Sequence, residues 1–586
     1  MRKTKIICTY GPSIDSLEMI EKIVNAGVNI VRFNFSHGDY DYHSRGMNNV
    51  KMVREKLGVP IGILLDTKGP EIRTGLQDQE WIELVQDSTI ELNSAETKSV
   101  PGMLAVDYNQ LVQDVSIGTE ILLDDGKCRI KVEEKVGASR LICRVLQGGS
   151  IKQRRSLNIP NTDINLPFLS DKDKKDLEFG AKMEVDLVAA SFTRNAADIK
   201  EMRSYLFKQN RFTCDIIAKI ENRQGVKNVQ EILDVADGIM VARGDLGVEL
   251  PVEEVPHVQK KIISICRKHG KPVITATQML ESMMNNTRPT RAEVSDIANA
   301  IYDTTSAIML SGESAAGKYP VECVKMMSII AQRTELEIDY RKLLTESMPQ
   351  SSDGTKAMAN AAITTAYDLN AAAIVALTSS GNSARLISRC RPGMDCIATT
   401  DCIRTFYKMA LYWGILPVLI PKVDFKTVDD VFDSIAEILE SRGILARGAQ
   451  IVQLGGSPVG VAGSTNALRI SSIGNVATRG VPVVSGKAQG QVHIYKDKIS
   501  TPEGRVLVMK YLLESDLSVL KRAKALILQS DRGEEYARVA GETLNIPVIT
   551  RAEGCTASLY DSEMVIVDAS DGVVYRNSKK MEAEQS

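Results

Sequence analysis

Eight times between its start and about residue 340, the chain repeats one unit: a short β-branched apolar run, a polar turn and an amphipathic passage. The runs predict strands at Lys5–Cys8, Asn29–Asn34, Ile61–Leu65, Asp186–Ala190, Asp215–Ile220, Gly238–Ala242, Pro272–Ala276 and Ser306–Leu310. Continuous apolar character over so few residues belongs to strands buried on both faces. Passages between them, such as Leu17–Asn25, Tyr40–Leu57, Val255–Lys268 and Pro320–Ile338, predict helices. Strands and helices in alternation imply right-handed parallel βα units. Eight units are the number that closes a (β/α)8 barrel, whose functional groups lie at the carboxyl ends of its strands. An open doubly wound sheet is the alternative, and the count does not exclude it.

Each of these runs ends in polar or charged groups. Thr9-Tyr10-Gly11-Pro12-Ser13 follows the first, and the second carries Arg32 and Asn34 into Ser36-His37-Gly38. The third runs into Asp66-Thr67-Lys68-Gly69-Pro70-Glu71, and the fourth into Ser191-Phe192. Lys219 and Glu221 close the fifth, Arg243-Gly244-Asp245 the sixth, Thr277-Gln278 the seventh and Ser311-Gly312-Glu313 the eighth. Lys219 and Glu221 are two apart in an extended chain and so share one side of it. Charges at neighbouring strand ends are costly to desolvate without partners. A divalent cation and a phosphate would supply them: Glu221 and Asp245 for a hard, oxygen-seeking metal, Lys219 for a phosphoryl group. One Lys-x-Glu alone is an ordinary ion pair; its recurrence in kind at every strand end points to a site.

Between about Pro70 and Pro167 the pattern changes to alternation, as in Trp81-Ile82-Glu83-Leu84-Val85, with a hairpin signal at Asp125-Gly126. This predicts a small antiparallel β domain inserted on the site's side of the barrel, placed to act as a lid. The expected organisation is barrel over 1–69 and 168–340, lid over 70–167, a second α/β domain over 341–474 and a further α/β domain over 475–586. In the second α/β domain, Ala373–Leu377 predicts a strand followed by Thr378, Ser379, Ser380, Gly381, Asn382 and Ser383. Hydroxyls and a glycine between a strand and a helix start can cradle a phosphate on backbone N–H groups, although such turns also serve as plain helix caps. Leu454-Gly455-Gly456-Ser457-Pro458-Val459-Gly460 predicts a second loop beside it, and Asn577–Ser586 a charged, frayed tail. A net charge of -2 gives no sign of a nucleic-acid or membrane surface. No window approaches a membrane span, and ten cysteines scattered without a Cys-x-x-Cys pair suit reduced thiols in the cytoplasm.

Asp215-Ile216-Ile217-Ala218-Lys219-Ile220-Glu221-Asn222 resembles the active-site signature of the pyruvate kinase family. So do Asn34-Phe35-Ser36-His37-Gly38, Asp66-Thr67-Lys68-Gly69-Pro70-Glu71-Ile72-Arg73-Thr74-Gly75 and Ala242-Arg243-Gly244-Asp245-Leu246-Gly247. Thr275-Ala276-Thr277-Gln278-Met279-Leu280-Glu281-Ser282 and Arg288-Pro289-Thr290-Arg291-Ala292-Glu293 complete the set, in one order along the chain. The resemblance implies a homotetramer that moves phosphoryl from phosphoenolpyruvate to ADP, giving pyruvate and ATP, under allosteric control. On it, Lys219 and Arg32 would clamp the phosphoryl group, with Gly244, Asp245 and Thr277 on the substrate carboxylate. Glu221 and Asp245 would hold magnesium or manganese; Asn34, Ser36, Asp66 and the Thr67 carbonyl would hold potassium. Nucleotide would meet His37, Arg73, Lys172 and the Thr9–Ser13 turn. Glu71 matches the residue of potassium-requiring members. Thr277, through water and Ser311 or Glu313, is the expected source of the proton that turns enolpyruvate into pyruvate. The Thr378–Ser383 loop would bind a phosphorylated effector, AMP or a sugar monophosphate.

The carboxyl-terminal region resembles something else. Gly480-Val481-Pro482-Val483-Val484-Ser485-Gly486-Lys487-Ala488-Gln489-Gly490 and Leu544-Asn545-Ile546-Pro547-Val548-Ile549 are similar to the swivelling phosphohistidine domain of phosphoenolpyruvate synthases and dikinases. The position expected for the histidine falls on Tyr536, and His493 lies in a strand-like stretch. Such a domain implies a carrier relic without its chemistry. The alternatives are a phosphoenolpyruvate synthase-like relay, against which the missing histidine speaks, and a catalytically dead barrel that binds phosphometabolites.

Overall fold

The structure, a computed structural model, describes residues 1–162, 164–209, 212–347, 353–422, 427–456, 465–495 and 503–576. The eight apolar runs form a closed barrel of parallel strands: β1 (Lys5–Thr9), β2 (Ile30–Asn34), β3 (Gly62–Asp66), β4 (Leu187–Ala190), β5 (Asp215–Ile220), β6 (Gly238–Ala242), β7 (Val273–Ala276) and β8 (Ala307–Leu310). The open sheet is not formed, because β1 pairs with β8, Lys5 opposite Ala307, as well as with β2. Closure leaves no unpaired strand edge.

Several strands begin one residue later than their apolar runs suggest, and the reason is chemical. Asn29, Asp186 and Ser306 sit at the amino-terminal rim and bond backbone through their side chains. Asn29 Oδ1 accepts from Ile6 N, Asp186 Oδ2 from Ile63 N, and Ser306 Oγ from Val273 N. Helices pack the outside of the barrel over a core that includes Ile6, Val31, Phe33, Ile63, Leu65 and Ile216.

Between β3 and β4 the chain forms a β insertion that is mainly antiparallel, with Thr89–Asn93 and Met103–Ala105 pairing parallel, where alternation alone predicted antiparallel pairing throughout. Its seven-stranded sheet includes Glu120–Leu123, Cys128–Val136 and Arg140–Gln147, over a core of Ile90, Leu92, Ile121, Ile130 and Val145. The hairpin signal is real: Leu123 pairs with Cys128 across a turn in which Asp124, Asp125 and Gly126 all have positive φ. The run Trp81–Val85 yields a shorter strand, Ile82–Leu84, whose flanking Trp81 and Val85 are exposed.

The contacts divide the chain into two compact units. One is Met1–Asn360 with Ala376–Pro421; it holds the barrel, the insertion and the parallel pair Asp395–Thr400 and Ile415–Leu419. The other is Ala361–Val375 with Lys422–Ser586. It holds the antiparallel pair Gln450–Gly456 and Thr465–Ser472, and a carboxyl-terminal sheet including Lys487–Ile494, Arg505–Met509, Ala523–Leu528 and Val548–Thr550. Val492, Val506, Ile527 and Ile549 pack in that sheet's core. The expected strand Ala373–Leu377 is present and falls across the division. Ser457 to Gly460 of the second loop, and the tail Asn577–Ser586, lie outside the described residues.

Candidate active site

At the carboxyl end of the barrel, β5 delivers Lys219 into a position where water barely reaches: it is 8 % exposed. Its Nζ donates to Ser191 Oγ at 2.8 Å and lies 2.9 Å from Glu221 Oε1 and 3.2 Å from Asp66 Oδ1. β2 brings Arg32, whose Nε donates to Asp66 Oδ2 at 2.6 Å and whose Nη1 donates to Thr9 Oγ1 at 3.0 Å. Four strand ends thus join two cations and two carboxylates in one network, and β4 adds the groups that orient it. Ser191 Oγ reaches the Thr67 carbonyl at 2.6 Å, and the Phe192 N–H donates to Glu221 Oε2 at 2.6 Å. Ser191 and Phe192 stood in the sequence only as a polar strand end; their part is set by pairing across strands, which no local motif carries.

Burial is the dominant influence on these charges, and the partners decide the outcome. It disfavours the Lys219 ammonium, yet Asp66 and Glu221 outweigh it and hold the group above its ordinary range. Burial likewise opposes ionisation of Asp66, but Lys219 and Arg32 pull it below the usual carboxylate range. Glu221 goes the other way: burial pushes it up to about 7, with Lys219 opposing and Asp245 adding to the rise.

These groups face a cavity of about 360 Å³ lined from the barrel by Arg32, Asn34, Lys219, Glu221 and Asp245 and from the insertion by Asp125 and Arg155. His37 and Arg73 line it too, Arg73 bonded to Glu71 through Nε at 2.9 Å and Nη2 at 2.6 Å. A second cavity of about 340 Å³ shares Glu71, Phe192 and Asp245 and extends beneath the insertion. The hairpin turn Asp124–Asp125 therefore borders the site, which the sequence did not show.

Asn34, Ser36 and Thr67 line the cavity as well, with Asn34 Oδ1 accepting from Ser36 N at 3.1 Å. Lys172 does not line it; its Nζ donates to Asp176 and to the Phe35 carbonyl. Thr277 and Gly244 are absent from the lining and bond each other, the Gly244 N–H donating to Thr277 Oγ1 at 2.9 Å. Arg243 fixes that corner by a bidentate pair with Asp296 and a bond to the Thr277 carbonyl. Glu313 is spent on backbone, accepting from Leu280 N and Ser311 N, whereas the Ser311 hydroxyl is buried without a partner. The described residues contain no cluster of three or more acidic, histidine or cysteine ligands; Glu221 and Asp245 both line the cavity.

In the first unit the loop after Ala373–Leu377 runs into a helix. Gly381, at φ 87°, precedes the helix Asn382–Arg389, and its N–H donates to Thr378 Oγ1 at 2.9 Å. Thr378 and Ser383 are buried, and Thr405 Oγ1 donates to the Ser379 carbonyl.

A buried lysine held among carboxylates at the mouth of a parallel barrel, under a β insertion, defines a barrel phosphotransferase. The chain matches the pyruvate kinase barrel domain over residues 1–324 and the pyruvate kinase alpha/beta domain over 356–471. Residues 501–572 match the mobile domain of PEP-utilising enzymes. Curated pyruvate kinases from Bacillus licheniformis, Geobacillus stearothermophilus and Staphylococcus aureus are 42 %, 40 % and 39 % identical to it, over 98 % of this chain and 99 % of each relative. The chain belongs to the pyruvate kinase family and is an enzyme of phosphoryl transfer from phosphoenolpyruvate to ADP. No helix among the described residues is long and apolar enough to cross a membrane.

Proposed function

We propose that phosphoryl transfer takes place on Lys219, and the observation that carries this is its placement between Asp66, Ser191 and Glu221 at the cavity floor. The transferring group is nearly free in the transition state, so the protein mainly positions it and neutralises its equatorial oxygens. Lys219 does this from one side and Arg32, locked on Asp66, from another. The residues fit a divalent cation: Glu221 and Asp245 both line the cavity, and Asp245 makes no ion pair among the described residues. Two carboxylates suit magnesium or manganese, which keeps water and substrate oxygens in its other positions. Such an ion supplies charge neutralisation at the enolate and phosphate oxygens. Asn34, Ser36, Asp66 and the Thr67 carbonyl offer oxygens alone, with a single carboxylate already shared by Arg32 and Lys219, a donor set for a monovalent ion such as potassium. Glu71 beside them adds the charge that a lysine there would reverse. Full activity in buffer free of potassium and sodium would rule this part out.

His37 and Arg73 border the cavity where ADP would enter; Lys172, committed to Asp176, must leave that carboxylate to join them. Thr277 gives the proton to enolpyruvate through water and Ser311, its hydroxyl first turning from the Ala276 carbonyl. Glu313, engaged with two backbone N–H groups, has no place in that relay. The Thr378–Ser383 loop takes AMP or a sugar monophosphate as activator. The enzyme works as a cytoplasmic homotetramer, in domains that follow the boundaries given above. The deciding experiment is ATP formation from phosphoenolpyruvate and ADP with magnesium, with and without potassium, in wild type and Lys219→Met. Metal-dependent ATP formation lost in the variant supports the reading, whereas a folded, inactive wild type would return the barrel to a binding role.

A further inference from the structure

The insertion supplies one wall of the catalytic cavity, so its pose against the barrel decides whether that wall meets the Lys219 network. Among the described residues, its hydrogen bonds to the barrel gather on the returning segment, 158–166. Arg194, held by Asp198 through Nε and Nη2 at 3.1 Å each, donates from Nη1 to the Leu166 carbonyl at 2.9 Å and to the Ile164 carbonyl at 3.4 Å. Asn158 Nδ2 donates to Glu249 Oε1 at 3.0 Å. The arginine holds the crossing itself, whereas Asn158 belongs to the insertion's own sheet.

Both ends of the Asn158–Glu249 bond lead to the catalytic cavity. Asn158 closes the strand Ser156–Asn158, which pairs with Glu120–Leu123, Leu122 opposite Asn158. That strand holds the turn bordering the cavity: the Asp124 N–H donates to the Ser156 carbonyl at 3.0 Å, and Ser156 Oγ donates to Asp125 Oδ1 at 2.7 Å. Arg155, just before the strand, lines the cavity together with Asp125. On the barrel side, Glu249 ends the helix Arg243–Glu249, whose first turn holds Asp245. Asp245 and Glu249 are four residues apart, share one face of that helix, and both border the second cavity. Burial raises the Glu249 carboxyl above its ordinary range, against the Asn158 bond and the Arg223 charge. Glu249 makes no ion pair among the described residues, and Asn158 is a donor that offsets its desolvation.

We propose that Glu249 is a positioning residue for phosphoryl transfer: through Asn158 it sets the pose of the insertion against the helix of Asp245, and so aligns the nucleotide side of the cavity with the phosphoryl side. It touches neither substrate. The inference rests on the placement of ADP beneath the insertion given above. Without the bond, the strand Ser156–Asn158 is free to turn about the two chain crossings and carries Arg155 and Asp125 with it. Lys219, Asp66, Ser191 and Glu221 stay in place, because their network is built wholly within the barrel. Loss of the bond therefore bears on ADP and spares phosphoenolpyruvate.

The test is the affinity of the full chain for ADP and for phosphoenolpyruvate, by titration calorimetry with magnesium present and by steady-state rates. Asn158→Ala and Glu249→Ala are each expected to weaken ADP by about five- to tenfold and phosphoenolpyruvate by less than about twofold. Glu249→Gln keeps an acceptor for Asn158 and should stay within about twofold of wild type. One bond is lost in either single variant, so the double alanine variant should be no weaker than the weaker single. Losses that add in the double variant would overturn the proposal, as would a lower thermal midpoint with both affinities unchanged. Equal losses for the two substrates would also overturn it, since they mark damage to the Asp245 helix itself. Asn158→Ala decides the matter if Glu249→Ala fails to fold. Arg73→Gln tests the ADP placement separately: unchanged ADP affinity there would fault the placement, while a non-additive pair at Asn158 and Glu249 would still uphold the lever.

Discussion

Burial opposes ionisation of both carboxylates in the Lys219 network, yet their partners leave them shifted in opposite senses, and each shift has a measurable consequence. Asp66 stays ionised because two cations touch it; Glu221 has one, with Asp245 working against it. Lys219→Met leaves both carboxylates without their shared partner and removes the charge that meets the phosphoryl group. Its kcat is expected to fall by at least about 10²–10³, as for loss of one transition-state donor, whereas Thr277→Ser, which keeps a hydroxyl, should lose far less. Steady-state rates with saturating substrates compare the two. Glu221, raised to about 7, takes up a proton as pH falls through that value. A metal needs the carboxylate, so apparent magnesium affinity is expected to weaken below pH 7, approaching tenfold per unit, and to level off above it. Magnesium titrations of the initial rate at fixed pH check this. The Lys219, Glu221 and Asp245 cluster was legible because charge at the end of a buried strand is conspicuous. Ser191 was not, since a serine after an apolar run is common and only the fold brings its hydroxyl to Lys219.

The insertion is joined to the barrel through Gly69, which follows β3 in the left-handed region at φ 74° and donates its N–H to Asp173. A Cβ there would come within 2.8 Å of Ser191 Cβ and 3.0 Å of its carbonyl oxygen. Gly69→Ala therefore strains the entry to the insertion and pushes on the residue that steers Lys219. A cost of about 1–3 kcal/mol is expected, with a lower thermal midpoint and a kcat that falls more than the affinity for magnesium. Elements of this kind were well signalled in the sequence. Strand positions came from continuous apolar runs, and the hairpin from Asp125-Gly126, where a positive φ is required. Lys172 and Thr277 were harder. Their residue types suit a ligand, but Lys172 is held by Asp176, one turn on in its own helix, and Thr277 by Gly244, a partner far away in sequence.

The second unit ties the carboxyl-terminal sheet to the segment before it. Arg479 Nη2 bonds Ser472 Oγ and the Gly448 carbonyl, and the Arg447 guanidinium stacks 4.8 Å from the centre of the Tyr575 ring. A chain truncated after Ser472 loses both the ring and the donor. It is expected to keep the Lys219 network and hence ATP formation, while melting several degrees lower; paired calorimetry and rate assays on the two chains check this. That the final region is similar to the mobile domain of PEP-utilising enzymes was readable from its motifs, and Tyr536, where that resemblance places the histidine, is exposed on the helix Glu534–Leu544. Which earlier residues it braces was not readable, because such contacts follow from packing alone. Barrel closure has a consequence for synthesis as well. Lys5 pairs with Ala307, so β1 leaves the ribosome with one edge open and waits for β8. At elongation speeds of about 5–20 residues per second that wait is roughly 15–60 seconds. For that interval the amino-terminal strand is a sticky ribbon, and chaperone demand during translation should centre on it.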